Sequence, residues 1–171
     1  MRKVTYGCAV SLDGYIAGPN GEVDWLMWCD EAAEVASGYW ANVDAILMGR
    51  KTWEFAVSGG QGGESSSKIA TYVFSRTLSE TPGATPVSED AVDFVRKLKS
   101  KEGREICLMG GGDIASALIG AGVVDEIGLN VHPVILGGGT PMFTVSTRST
   151  QLSLIESRSF SNGCVYSIYR T

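Results

Sequence analysis

Three short segments carry residue types suited to gripping phosphate. Met48-Gly49-Arg50-Lys51-Thr52 directly follows a short apolar run, residues 45–48. A glycine there lets a ligand come close to the backbone. Free N–H groups at the start of a following helix attract an anion. Arg50 adds a two-pronged donor for phosphate oxygens, and Thr52 adds a hydroxyl. Arg50 and Lys51 read equally well as solvated charges at a helix start. Met109-Gly110-Gly111-Gly112-Asp113-Ile114 repeats the order of strand, glycine and helix. Successive glycines cost chain entropy. They make sense where backbone must touch a group such as a pyrophosphate; a tight turn is the other reading. Gly110-x-Gly112-x-x-Ala115 matches the dinucleotide fingerprint with alanine in its last place, but it lies late in the chain. No clear ribose-binding acid follows about 20 residues on. The third segment, Phe74-Ser75-Arg76, ends another apolar run. A Ser-Arg pair there can hold the extra phosphate that separates NADPH from NADH, although alone it is a common dipeptide.

These segments need strands before them and helices after them, and the pattern supplies both. Residues 4–10, 45–48, 69–74, 106–109 and 127–131 read as strands. Ala32, Val35, Ala36 and Tyr39 recur at helical spacing. So do Ala91, Phe94, Val95 and Leu98, with Ser88 or Asp90 as the cap, and Ile114, Ala117, Leu118 and Ala121. Residues 151–157 and 164–169 alternate apolar and polar around Asn162-Gly163, a hairpin signal. Strands alternating with helices predict a mostly parallel central sheet with helices on both faces, ending in an antiparallel hairpin. In such sheets ligands bind beyond the carboxyl ends of the strands. The polar, glycine-rich stretch 58–68 reads as a surface loop within one domain spanning 1–171.

Composition bounds the function. The chain has 171 residues, a formal net charge of −5, 44% hydrophobic and 19% charged residues, and a pI near 4.9. A globular domain with a core is expected, and a nucleic-acid binder is not. No apolar run reaches the ~20 residues of a membrane span, and no secretory leader is recognisable. The cysteines, Cys8, Cys29, Cys107 and Cys164, form no CxxC pair. Reduced thiols in a cytoplasmic protein are therefore expected, with no metal site.

Taken in order, the phosphate-type segments resemble the dihydrofolate-reductase-like family. That family includes folate reductases and the reductase domain of riboflavin biosynthesis. The likeness runs from Val4 to Tyr169. Ser11-Leu12-Asp13-Gly14-Tyr15-Ile16-Ala17 is similar to the riboflavin-type branch. So is Pro133-Val134-Ile135-Leu136-Gly137-Gly138-Gly139, followed by Pro141-Met142-Phe143. The resemblance implies an NADPH-dependent reductase. Gly49, Arg50, Lys51 and Thr52 would then hold phosphates, and Ser75 and Arg76 the adenosine 2′-phosphate. Gly110, Gly111, Gly112, Asp113 and Ile114 would cradle the pyrophosphate and nicotinamide side. Ala9, Ile16 and Ala17 would lie against the nicotinamide. A homodimer paired through a sheet edge is also implied.

The substrate side is less determined. In folate reductases a Trp and a substrate-binding acid have the spacing of Trp25 and Asp30. Asp30 reads either as that acid or as the cap of the first helix. The proline before the acid is missing, and Glu34 stands where an apolar contact belongs. Asp13 is a second catalytic candidate, or a turn residue before Gly14. Asn130 is a third, near the position that faces the substrate acid in the resemblance. Trp25, Trp28 and Trp53 can wall a flat-ring pocket or serve as core. His132, before Pro133, is expected in a loop role. The expected substrate is a small pterin-like, pyrimidine-like or other heteroaromatic or carbonyl compound. A zinc-deaminase signature is absent from the sequence. A true dihydrofolate reductase and a non-catalytic NADPH-binding protein are the alternatives.

Overall fold

The computed structural model describes residues 1–58, 69–144 and 149–171. The elements run β1 (Val4–Ser11), β2 (Tyr15–Ala17), α1 (Asp30–Asn42), β3 (Val43–Gly49), α2 (Arg50–Ser58), β4 (Ala70–Phe74) and β5 (Thr85–Val87). They continue with α3 (Ala91–Lys99), β6 (Glu105–Met109), α4 (Gly112–Gly120), β7 (Glu126–His132), β8 (Thr140–Pro141), β9 (Ser153–Ser159) and β10 (Val165–Arg170). An eight-stranded sheet has the order β5-β4-β3-β6-β1-β7-β10-β9, and β2 pairs with β8 separately. Strands β5 through β7 in that order are parallel. β10 runs antiparallel to both β7 and β9. This is the mostly parallel α/β architecture with a terminal antiparallel hairpin that the residue pattern predicts, and it is the dihydrofolate-reductase-like fold that the resemblance implies. The loop expected over 58–68 lies outside the described residues, apart from Ser58 at the end of α2.

Alternation along β1 divides its side chains between two faces. Val4, Tyr6 and Val10 pack with Val95 and Leu98 of α3 and with Ala115 and Leu118 of α4. Thr5, Gly7 and Ala9 face the opposite way, toward α1. The parallel run places the ends of β1, β3, β4, β6 and β7 along one edge of the sheet. Each phosphate-type segment therefore arrives at the same edge.

Local signals acted as their chemistry predicts, with two exceptions. Asp90 caps α3 by accepting from the N–H groups of Val92 and Asp93. Asp30 does not cap α1; Cys29 occupies that position without a side-chain bond. Asp30 and Glu31 instead sit in the first turn, where negative charge suits the helix dipole. His132 is not in a loop. It ends β7 and is 1% exposed. The terminal hairpin turns over residues 160–164, with Gly163 in the left-handed region at φ +84°. All four cysteines are free. No helix among the described residues is long and apolar enough to cross a membrane.

Candidate functional site

A cleft of about 600 Å³ opens at the strand ends. Ile16 and Ala17 of β2, Lys51 and Thr52 of α2, and Gly110, Gly111, Gly112 and Asp113 all line it. Gly110 and Gly111 take φ +59° and +66°, which favour glycine. A Cβ on Gly110 would stand 2.7 Å from Thr52 Oγ1, and one on Gly112 would stand 2.8 Å from the Pro141 carbonyl oxygen. The glycines are thus required for the close approach of the β6–α4 turn to α2 and to β8. Gly111 precedes α4 without any side-chain cap. The early N–H groups of that helix have no intrahelical acceptor and point their positive ends at the cleft edge. A phosphorylated ligand fits this donor set. Asp113 adds a negative charge to the lining and Lys51 a positive one, so the backbone donors and the Thr52 hydroxyl are the groups there best suited to an anion.

Other residues singled out from the sequence are not part of the lining of this cleft. Gly49 and Arg50 occupy the β3–α2 junction, where a Cβ on Gly49 would meet nothing within 4 Å. Arg50 pairs with Glu54 at 3.2 Å, both side chains half exposed. Such a pair is weak, so Arg50 is free to turn toward an anion. Ile114 packs against the core. Ser75 follows β4 and accepts from the N–H groups of Thr77 and Leu78. Its hydroxyl therefore already shapes the turn that carries exposed Arg76.

Asp13 is engaged structurally. Its carboxylate accepts from Ser11 Oγ at 2.7 Å and from the N–H groups of Leu136 and Gly137 at 3.1 and 2.8 Å. The Ser11 bond contributes most to holding its pKa below the ordinary value. These bonds clamp the loop after β7 onto the turn after β1. Asp13 lines neither this cleft nor the cavity described next.

A second cavity, about 450 Å³, lies between α1 and the sheet. Small residues create it: Gly7, Ala9 and Gly128 on the strands, and Ala32 and Ala36 on the helix. Gly7 and Gly128 are register partners. A Cβ on Gly7 would meet nothing within 4 Å, and one on Gly128 only a Thr5 methyl at 3.9 Å. Asn130 sits beside Ala9 at the open end of this cavity, with Met109 and exposed Trp28. Met109 lines the cavity and the next residue, Gly110, lines the cleft, so the two spaces lie side by side at the end of β6. At the far end Lys3 contacts Glu126 and Glu105 at 2.9 and 3.2 Å. Burial opposes the Lys3 charge, but the two carboxylates outweigh it and raise its pKa. Burial also pushes the Cys107 thiol up to about 11 and the Cys8 thiol up to about 12. Both stay protonated near neutral pH and are poor nucleophiles.

Of the proposed substrate-side residues, the cavity lining includes Asn130 and not Asp30, Trp25 or Trp53. Asp30 is exposed. Trp25 sets its ring edge-on to His132 at 5.2 Å. Sequence reasoning missed Tyr39 and Thr5, whose buried oxygens lack hydrogen-bond partners beneath α1. It also missed Glu31, which accepts from Ser161 and ties α1 to the terminal hairpin. Nothing in linear spacing links Glu31 with a residue so far along the chain.

Comparison with known proteins decides the family. Residues 2–166 match the model of the RibD C-terminal domain. The chain belongs to the RibD C-terminal domain family. Two relatives come from Bacillus subtilis. The uncharacterized protein YyaP is 33% identical, covering 99% of this chain and 95% of its own length. The uncharacterized protein YwjB is 32% identical, covering 93% and 92%. A putative riboflavin biosynthesis protein from Shewanella sp. PV-4 has a similar crystal structure. Its TM-score is 0.86 and its identity 26%, over 100% of this chain and 99% of that one. A pyrimidine reductase-like protein from Corynebacterium diphtheriae shares the fold at TM-score 0.74 and 16% identity, over 99% and 91%.

Proposed function

We propose that the chain is a reductase that draws on NADPH and acts on a small, flat heteroaromatic or carbonyl compound of pyrimidine or pterin type. The observation that carries this reading is the junction of two spaces at one sheet edge. A glycine-built cleft suited to phosphates adjoins a small-residue cavity suited to a flat ring: Met109 lines the cavity and its neighbour Gly110 lines the cleft. When bound, NADPH would supply a hydride. The residues of the chain bind, orient and exclude water. Thr52 and the N–H groups after Gly111 would hold the pyrophosphate, with Arg50 and Lys51 as nearby cations. Arg76 would meet the 2′-phosphate. Ile16, Ala17 and Ala9 would wall the nicotinamide. Gly7 and Gly128 would floor the substrate space, and Asn130 would offer it a hydrogen bond.

The folate-reductase alternative depends on Asp30, which is exposed and outside both linings. Residues 1–171 act as a single domain in this proposal. The chain pairs as a homodimer in this proposal through β9, one of the two sheet edges, which exposes Leu154 and Ile155. The test is a fluorescence titration with NADPH and with NADH, followed by oxidation of NADPH against a panel of pyrimidines, pterins and quinones. Tighter NADPH binding and oxidation with at least one compound are expected. Equal affinities would remove the role of Arg76, and tight binding with no oxidation would favour a non-catalytic NADPH-binding protein.

A further inference from the structure

Asn130 and His132 lie two residues apart on β7, so they share one face of the sheet. The Asn130 amide is 3.2 Å from His132 Nε2. Which group donates depends on where the imidazole carries its proton. His132 is 1% exposed, and burial lowers its pKa, so the ring is neutral at neutral pH. Its Nδ1 receives the Met27 backbone N–H at 3.3 Å. A backbone N–H can only donate. Cys164 Sγ lies 3.4 Å from the same nitrogen. That thiol is free and its pKa is raised by burial, so it too can donate. Nδ1 is therefore the acceptor, and the proton sits on Nε2. Nε2–H needs an acceptor in turn. The partner within reach is the Asn130 amide, of which only the oxygen accepts.

The two ends of an amide have the same shape, and the hydrogen-bond network decides between them. With the nitrogen set against His132, two donors face each other and Asn130 Oδ1 is buried without a partner. Reversing the amide removes the donor clash and leaves the enclosed position to a group that still has no partner in the protein. The oxygen then accepts from Nε2–H, and the NH₂ group takes the enclosed position. We infer that His132 acts as a positioning residue that turns the Asn130 NH₂ group toward the cavity beneath α1, making this end of the cavity select compounds that present a carbonyl oxygen over those that present an amino group beside Ala9. The chain of bonds runs from Met27 N–H to His132 to Asn130 and then to the ligand. It carries the orientation of the segment before α1 into the site. A ligand that presents only an amino group at this point meets donor against donor, and one partner is left unpaired. The selectivity rests on the reading of this cavity as the substrate site; the hydrogen-bond polarity does not.

The chain has one histidine, so its imidazole nitrogens can be assigned without ambiguity. Long-range ¹H–¹⁵N correlation on labelled full-length protein at neutral pH should show Nε2 protonated and Nδ1 bare. An Nδ1–H ring would overturn the relay, whether or not the chain is a reductase. Binding is then compared for 2,4-dioxopteridine and 2,4-diaminopteridine, with NADPH present. The dioxo compound should bind at least tenfold more tightly. Asn130→Asp, which keeps the shape and loses the donor, should abolish or reverse that preference. An Nε2–H ring combined with no preference between the pteridines would overturn the selectivity while leaving the relay intact.

Discussion

Replacing Gly110 with alanine tests the glycine cradle against its neighbour Thr52. Gly110 sits at φ +59°, where an L-residue costs about 1–2 kcal/mol. The new methyl would stand 2.7 Å from Thr52 Oγ1 and 2.8 Å from its Cγ2. Thr52 is β-branched and stiff about χ1, so relief must come from shifting α2 or the turn. Overpacking of this kind costs about 1–3 kcal/mol. Gly110→Ala should therefore destabilise the protein by about 2–5 kcal/mol. Thr52→Ala removes both clashing atoms, and the Thr52 Cβ stands 3.4 Å from the added methyl. In that background only the backbone part, about 1–2 kcal/mol, should remain. Urea unfolding of the four proteins, with m unchanged, gives the coupling from midpoints. A coupling of about 1–3 kcal/mol is expected. If Gly110→Ala costs the same with and without the Thr52 side chain, to within about 0.5 kcal/mol, then Thr52 does not close on Gly110 and the cradle argument fails.

Gly7→Ala should separate stability from function. A strand glycine is less stable than alanine by about 0.5–1 kcal/mol, and the added methyl would project into open space beneath α1. The unfolding midpoint should rise while binding of flat heterocycles weakens; unchanged binding would show that this floor is not used. Asp13→Asn should loosen the loop at Leu136 and Gly137 and cut turnover more than NADPH affinity. The sign with pH follows from the lowered pKa of Asp13. Its contribution to stability is full above its ordinary value of 3.8 and is lost as pH falls through the lower folded value. Acid unfolding curves of wild type and variant should therefore converge at low pH. A variant that stays equally less stable throughout would contradict the assignment.

Much of this arrangement was legible before folding was considered. Apolar runs such as 45–48 and 106–109 marked strands because a parallel strand covered on both faces needs no polar alternation. Glycines that follow such runs marked the edge where a ligand approaches. The short strands β2, β5 and β8 escaped because two or three residues are too few to show a period. The cavity beneath α1 escaped for a different reason. It exists because Gly7, Gly128, Ala32 and Ala36 are small where β1, β7 and α1 meet, and smallness has no signature along one strand. For Asp13 two readings stayed open, and for His132 a loop role was expected where the structure has a strand end. The partners that settle their roles, Gly137 for one and Met27 for the other, lie more than a hundred residues away. Asp30 had the right spacing from Trp25, but the backbone there starts α1 with the carboxylate outward.

The central claim is that NADPH binds at the strand ends and meets a substrate cavity beneath α1. A crystal structure of the protein soaked with NADPH tests it most directly. The account predicts pyrophosphate oxygens within hydrogen-bond distance of Thr52 and the N–H groups after Gly111, the 2′-phosphate at Arg76, and the nicotinamide beside Ala9 at the mouth of the cavity lined by Gly7, Gly128 and Asn130. NADPH bound elsewhere, or with its nicotinamide turned away from Ala9, would contradict it.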